Sequence, residues 1–174
     1  ASRGLGKGFA LALARAGANV VISSRTAGGP LLETQAEIEA LGRQAWPVAL
    51  DVREQESIVE ATALAWERAG QIDILVNNAG CNVRKPALEV TWEDWNLVLE
   101  TNLRGLFFLA QAHASRMIPR HYGRIINMGS VTCVAGYAGL APYGASRGGV
   151  KQLTMSLAHD WGPHGLTVNC LAPG

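Results

Sequence analysis

The sequence has no run of five basic residues, no Cys-x-x-Cys pair and no apolar stretch of bilayer length. Fifteen Lys and Arg against fourteen Asp and Glu leave a net charge of +1. That balance lacks the clustered positive surface that displaces counterions from a nucleic acid. Apolar stretches such as 103–112 are interrupted by Arg104 and Gln111 and fall well short of the roughly 20 residues a membrane helix needs. The opening residues read as part of a glycine-rich turn, not as a charged-then-apolar leader. Cys81, Cys133 and Cys170 are odd in number and far apart, which excludes a disulfide framework and a clustered zinc site and points to a reducing cytoplasm. His113, His121, His159 and His164 share no spacing with one another or with the cysteines, so no metal is expected.

What is present is a core's worth of apolar residues, 48% of 174. That amount suits one globular domain spanning the whole chain, 1–174, and is too high for a disordered one. Short β-rich runs alternate with longer helical patterns. Strands are expected at 19–24, 44–50, 72–76, 124–127 and 167–171. Helices are expected at 9–16, 30–41, 55–69, 91–117 and 141–160, with Asp94 closing a capping box on Thr91. Alternation with short connections predicts an α/β fold, a doubly wound parallel sheet with helices on both faces. The chain is expected to lack a first strand before its opening turn and a last strand after residue 174.

Ser2-Arg3-Gly4-Leu5-Gly6-Lys7-Gly8 leads into the first helix. Glycines there let the backbone approach a pyrophosphate, and a helix N-terminus offers unpaired N–H groups and partial positive charge. A glycine cluster alone also fits a flexible terminus, but placement ahead of a β/α chain favours a dinucleotide site. A site preferring NAD(H) places a carboxylate after the next strand for the ribose 2′-hydroxyl. This chain has Ser23-Ser24-Arg25 there. Arg25 and Arg3 suit a 2′-phosphate, so NADP(H) is favoured and NAD(H) is the alternative. Both arginines also fit a solvated surface.

Tyr143-Gly-Ala-Ser-Arg147 opens the long helix, and residues four apart share a helix face. A fixed cation beside a phenol favours phenolate, which can exchange a proton with an alcohol or ketone oxygen. Ser130, at the end of the preceding strand, is in a position to hydrogen-bond the same oxygen. Alone, the pair also fits a buried tyrosine and a helix cap.

Together these segments resemble the short-chain dehydrogenase/reductase family, whose nucleotide-binding fold is Rossmann-like. The likeness runs along the whole chain in order: the turn's tail at 1–6, Asp51-Val52, Asn77-Asn78-Ala79-Gly80, Asn102, Ser130, Tyr143 and Pro173-Gly174. The resemblance implies that Ser2, Arg3, Gly4, Leu5, Gly6, Arg25, Asp51, Val52, Asn78, Ala79, Gly80, Tyr143, Arg147, Pro173 and Gly174 bind the nicotinamide cofactor. It implies Tyr143 as acid/base, Ser130 as the group that polarises the substrate oxygen, and Asn102 as holder of a relay water. The family's Tyr-x-x-x-Lys is here Tyr143-x-x-x-Arg147. Arginine supplies the charge and the hydrogen-bond donors but does not readily release a proton, which puts the relay in question.

Asn82, Arg84 and Lys85 follow the Asn-Asn-Ala-Gly turn and are expected either to face a polar or anionic substrate or to form a solvated loop. Thr132 is a further substrate-side candidate. The 82–86 run and the Gly-Ser-Val-Thr segment look most like gluconate 5-dehydrogenase-type and other sugar or polyol dehydrogenases, with a 3-oxoacyl-thioester reductase as the nearest rival. The substrate expected is a small-molecule alcohol or carbonyl. By the same resemblance the long helices pair into a homodimer or homotetramer, although Trp92 and Trp95 also suit a core. A non-catalytic NADP(H) sensor is favoured only by Arg147, and a methyltransferase is disfavoured by the Ser130/Tyr143 pair.

Overall fold

The computed structural model describes residues 1–174. They form two compact units, Ala1–Ile72 and Asp73–Gly174.

The first unit runs α1 (Gly4–Arg15), β1 (Val20–Ser24), α2 (Pro30–Ala40), β2 (Ala45–Ala49) and α3 (Gln55–Ala69). β1 and β2 pair in parallel from Val20 opposite Ala45 to Ser24 opposite Ala49. Proline opens α2 at its first turn, where a missing N–H costs nothing. The core is made from small and branched residues: Ala10 and Ala14 of α1 close on Ile22, Leu31, Ile38 and Ala45. The first helix was expected from residue 9 and instead starts at Gly4. Lys7 N–H already donates to the Arg3 carbonyl at 3.3 Å, so Gly6 and Gly8 are helical. Gly4 takes a φ of 56° to turn the chain in. Glycine's low helix propensity concealed this start.

The second unit runs β3 (Ile74–Asn77), α4 (Trp92–Leu99), α5 (Gly105–Met117), β4 (Gly123–Met128), α6 (Ala141–Trp161) and β5 (Leu166–Leu171). Its sheet has the order β3-β4-β5, all parallel. Parallel neighbours need crossovers, which α4 and α5 supply between β3 and β4 and α6 supplies between β4 and β5. The strand–helix alternation and parallel pairing match the expected α/β fold. The strands form a two-stranded and a three-stranded sheet.

A buried polar chain fixes the carboxyl ends of β3 and β4. Asn77 Nδ2 donates to Asn127 Oδ1 at 2.9 Å, and Asn127 Nδ2 donates to Thr154 Oγ1 at 3.0 Å. Thr154 Oγ1 passes the next bond to the Val150 carbonyl at 2.7 Å. Asn127 is fully buried and Asn77 nearly so, so each lost partner would strand a desolvated group at a cost of about 1–3 kcal/mol. The chain holds α6 against the sheet and sets where its first turn lies.

The expected helix 91–117 begins as read. Thr91 Oγ1 accepts from Asp94 N–H and Asp94 Oδ2 accepts from Thr91 N–H. It is then interrupted by a π-helical turn, Glu100–Arg104, which no sequence pattern announced. Trp92 and Trp95 are 79% and 40% exposed, which removes the core reading for both.

His113 on α5 is 5% exposed. Burial, with Arg116 nearby as a lesser cause, lowers its pKa from 6.5 to about 4. The unfolded chain therefore takes up this proton at higher pH than the folded one, and stability falls as pH drops from 6.5 towards 4. At 1.4 kcal/mol per unit the loss reaches roughly 3 kcal/mol. Asp51 and Asp94 are held below 3.8 by their Arg53 and Lys85 partners, so their contributions fade only below that window. Urea unfolding of the full-length protein at stepped pH should show this slope in wild type and a flattened one in His113→Leu.

Candidate active site

Four of the expected residues meet at the carboxyl ends of β3 and β4. Arg147 lies in the second turn of α6, 5% exposed. Its guanidinium carbon sits over the Tyr143 ring, 5.0 Å from the centroid, and Nη1 donates to the Met128 carbonyl at 2.6 Å. No carboxylate pairs with it, and Nε has no partner. A buried cation lacking an anion is costly, so this one stays only because a carbonyl, a ring face and close packing surround it. The packing includes Gly80, where an added Cβ would lie 2.5 Å from Nη2. A methyl there would force the guanidinium to shift.

Asn102 stands on the π-helical turn and is fully buried. Its Oδ1 accepts from Cys81 N–H at 2.8 Å, and Nδ2 donates to the Cys81 carbonyl at 2.9 Å and to Ser146 Oγ at 3.0 Å. Ser146 Oγ in turn donates to the Tyr143 carbonyl at 2.7 Å. One carboxamide therefore ties the Asn-Asn-Ala-Gly turn to the first turn of α6. A π-turn re-aims a side chain that a regular helix would point elsewhere, and here the re-aimed side chain is the tie itself.

Ser130 follows β4 and is 8% exposed. Its Oγ accepts from Thr132 N–H at 3.2 Å, an orientation that leaves the hydroxyl proton to be donated outward. Its N–H donates to Cys133 Sγ at 3.4 Å, and that thiol donates to the Arg147 carbonyl at 3.1 Å. Ser130 is thereby linked to the helix that carries Tyr143 and Arg147. Thr132, Cys133, Val134, Tyr137, Leu140 and Gly144 line a cleft of about 370 Å³ beside them.

The loop after Gly80 is pinned to the segment preceding Tyr143 by Lys85 N–H donating to the Gly139 carbonyl at 3.1 Å. Arg84 lies against that glycine, its Cγ 3.4 Å from the added-Cβ position. Lys85 is committed to Asp94 at 2.6 Å, whereas Arg84 and Asn82 are exposed and Arg84 makes no ion pair. Val131 N–H donates to the Pro173 carbonyl at 2.9 Å, which puts Pro173-Gly174 beside the Ser130 turn.

The first unit holds the other candidates. Ser2, Arg3, Gly4, Leu5 and Gly6 form the entry to α1, whose first N–H groups have no partner within the helix. Arg3 and Arg25 are exposed. Asp51 is held by Arg53 through Nε at 3.2 Å and Nη2 at 2.9 Å, and its backbone N–H donates to Ser57 Oγ at 3.0 Å. Arg53, Cys133, Ser146 and the Met128 carbonyl were not singled out from sequence. Cys133 was signalled only by lying three residues after Ser130, where a capping partner sits.

The sequence matches the short chain dehydrogenase family over residues 1–174. This chain belongs to that family. Gluconate 5-dehydrogenase from Gluconobacter oxydans is 44% identical over all 174 residues, which span 68% of that protein. A 3-oxoacyl-[acyl-carrier-protein] reductase from Vibrio cholerae is 39% identical over 174 residues, 70% of its length. Among solved structures, a gluconate 5-dehydrogenase from Burkholderia cenocepacia in complex with NADP and tartrate superimposes with a TM-score of 0.89 at 38% identity, covering 99% of this chain and 68% of that one. The chain thus spans about two thirds of the length of these short-chain dehydrogenases, a family of nicotinamide-dependent oxidoreductases.

In the second unit the unpartnered buried Arg147 Nε and the Gly80 cradle fit the hydroxyl-rich part of a nicotinamide cofactor; taken by itself, the first unit offers a helix entry whose first N–H groups have no partner within the helix. Gly80→Ala should push the guanidinium aside and weaken dinucleotide binding at least tenfold, read by fluorescence titration of the full-length protein, with far-UV circular dichroism unchanged. Gly148→Ala, where an added methyl meets nothing within 4 Å, is the matched control and should bind as wild type does.

Proposed function

We propose that this chain comes from an NADP(H)-preferring alcohol dehydrogenase/carbonyl reductase acting on a secondary alcohol or ketone of a sugar acid or polyol. The observation that carries the reading is the Arg147 guanidinium, buried, unpaired by any carboxylate and stacked on Tyr143. The nicotinamide, when bound, gives or takes a hydride. Tyr143 would hand a proton to the ketone oxygen, or take one from the alcohol. Ser130 donates its hydroxyl proton to the same oxygen and holds it in place, its own Oγ fixed by Thr132 N–H. Arg147, whose Nε has no partner in the protein, would hold the ribose hydroxyls of that cofactor. Because a guanidinium keeps its proton, Tyr143 must be recharged through another route, to which the Asn102 water is assigned.

Support for the sugar-acid reading comes from Arg84 and Asn82. Both are exposed on a loop pinned beside the segment that leads to Tyr143, and Arg84 is a fork suited to a carboxylate. Thr132 lines the adjoining cleft. Arg3 and Arg25, with no carboxylate after β1, support NADP(H) over NAD(H). A 3-oxoacyl-thioester reductase is the second reading, favoured by the Vibrio relative. A non-catalytic NADP(H) sensor is the third, favoured by arginine at 147. We further assign 1–174 to one nucleotide-binding domain of a cytoplasmic protein without nucleic-acid or membrane partners; no helix is long and apolar enough to cross a membrane. Exposed Leu88, Trp92 and Phe108 support assembly into a homodimer or homotetramer.

Tyr143→Phe should lower kcat at least 100-fold, while Arg147→Lys retains or raises it; equal rates for wild type and Tyr143→Phe would take Tyr143 out of the mechanism. Arg84→Ala should raise KM for a sugar acid about tenfold or more and leave KM for a neutral polyol within twofold. A steady-state panel of a sugar acid, a polyol and a 3-oxoacyl thioester reads both, and exclusive turnover of the thioester selects the second reading.

A further inference from the structure

Two of the three cysteines face each other beside the site. At Gly129, between β4 and Ser130, an added Cβ would lie 2.6 Å from Cys170 Sγ and 2.9 Å from Cys133 Sγ. The two sulfurs therefore share the space that this glycine leaves open. They reach it from different elements. Cys133 sits on the short turn that Ser130 caps, and Cys170 sits on β5 opposite Asn127. Gly129 N–H donates to the Leu171 carbonyl at 2.6 Å, which locks the two backbones side by side. Both cysteines are free thiols of intermediate exposure, and Cys133 lines the 370 Å³ cleft. Cys81 is elsewhere, its thiol directed at the Leu97 carbonyl at 3.5 Å.

We propose that Cys133 and Cys170 are an oxidation site, a thiol pair that hydroperoxides convert to a disulfide and that thiols reopen. Cys133, reached through the cleft, attacks the peroxide: its sulfur gains one oxygen, the O–O bond breaks, and the thiol proton leaves with the alcohol or water released. Cys170 sulfur then attacks Cys133 sulfur, the S–O bond breaks, and the departing hydroxide takes the Cys170 proton as water. Overall, two thiols and one hydroperoxide give one disulfide, one alcohol and one water. Burial, with the neighbouring Cys133 thiol as a lesser cause, holds the Cys170 thiol above its ordinary pKa, which disfavours it as the sulfur that meets the peroxide first.

The consequence for the site follows from the bonds that Cys133 makes now. Its thiol accepts from Ser130 N–H and donates to the Arg147 carbonyl. In the disulfide it has no proton to donate, and its sulfur is drawn towards β5. Ser130 and the first turn of α6 lose their shared tie, so oxidation lowers turnover. That last step rests on the dehydrogenase reading; the disulfide itself does not.

The experiment treats the full-length protein with hydrogen peroxide and digests it with trypsin, which separates Cys133 (in 125–147) from Cys170 (after Lys151). The expected result is a linked pair two hydrogens lighter than the free peptides, with activity falling at least tenfold and returning with dithiothreitol. Cys170→Ala and Cys170→Ser should begin with wild-type activity, form no link and resist the reversible loss. Oxidation of both cysteines without a link would overturn the proposal, as would reversible loss of equal size in the Cys170 variants. A link formed in a protein that turns over no substrate supports the thiol pair and counts against the dehydrogenase reading alone.

Discussion

One constraint governs the second unit: a guanidinium is buried with no carboxylate to balance it. Desolvating a charge costs several kcal/mol unless other groups replace water. Here the replacements are the Met128 carbonyl and the Tyr143 ring face. Each comes from an element that has to be held in place. The asparagine–threonine chain fixes β4 against α6, glycine at 80 lets the turn after β3 close in, and Asn102 ties that turn to α6. Much of the polar chemistry in this unit thus serves to place one cation beside one phenol. Nε of that cation is left without a partner in the protein.

Substituting arginine for the family's lysine changes the site more than its charge. A lysine is a flexible point charge that can give up a proton; a guanidinium is a plane with donors along its edges and a face that stacks. Here its carbon lies over the Tyr143 ring while an edge donor reaches the Met128 carbonyl. The same bulk is what a Cβ at 80 would have to push aside. On the function proposed above, a guanidinium that keeps its proton would leave proton transfer to the hydroxyls and to water.

Most of the fold was legible because periodicity reports burial directly. The boundaries of α3 matched its reading at both ends, and Thr91 with Asp94 formed the reciprocal cap that their spacing announced. Failures occurred where a side chain far along the chain decides local shape. The π-turn at 100–104 carries Asn102, which bonds to the Cys81 backbone, and no local pattern encodes a partner 21 residues away. The start of α1 was misplaced because glycines read as a turn even when the ladder begins among them. In the site, Tyr143, Ser130 and Arg147 were readable as a motif. Cys133, Ser146 and the Met128 carbonyl were not, since their roles depend on which backbone groups the fold leaves within reach.

The thiol pair shows how closely structural and chemical roles overlap here. Cys133 spans Ser130 and Arg147, so the sulfur that ties these two residues is also the one the proposed oxidation would move. The central claim remains the cation. Isothermal titration of the full-length protein with NADPH, wild type against Arg147→Met, tests it most directly, because methionine fills much of the same volume without charge or donors. The account predicts affinity at least tenfold weaker in the variant, with the fold intact by circular dichroism. Equal affinity in the two proteins would contradict it, leaving the buried guanidinium with no part in holding the cofactor.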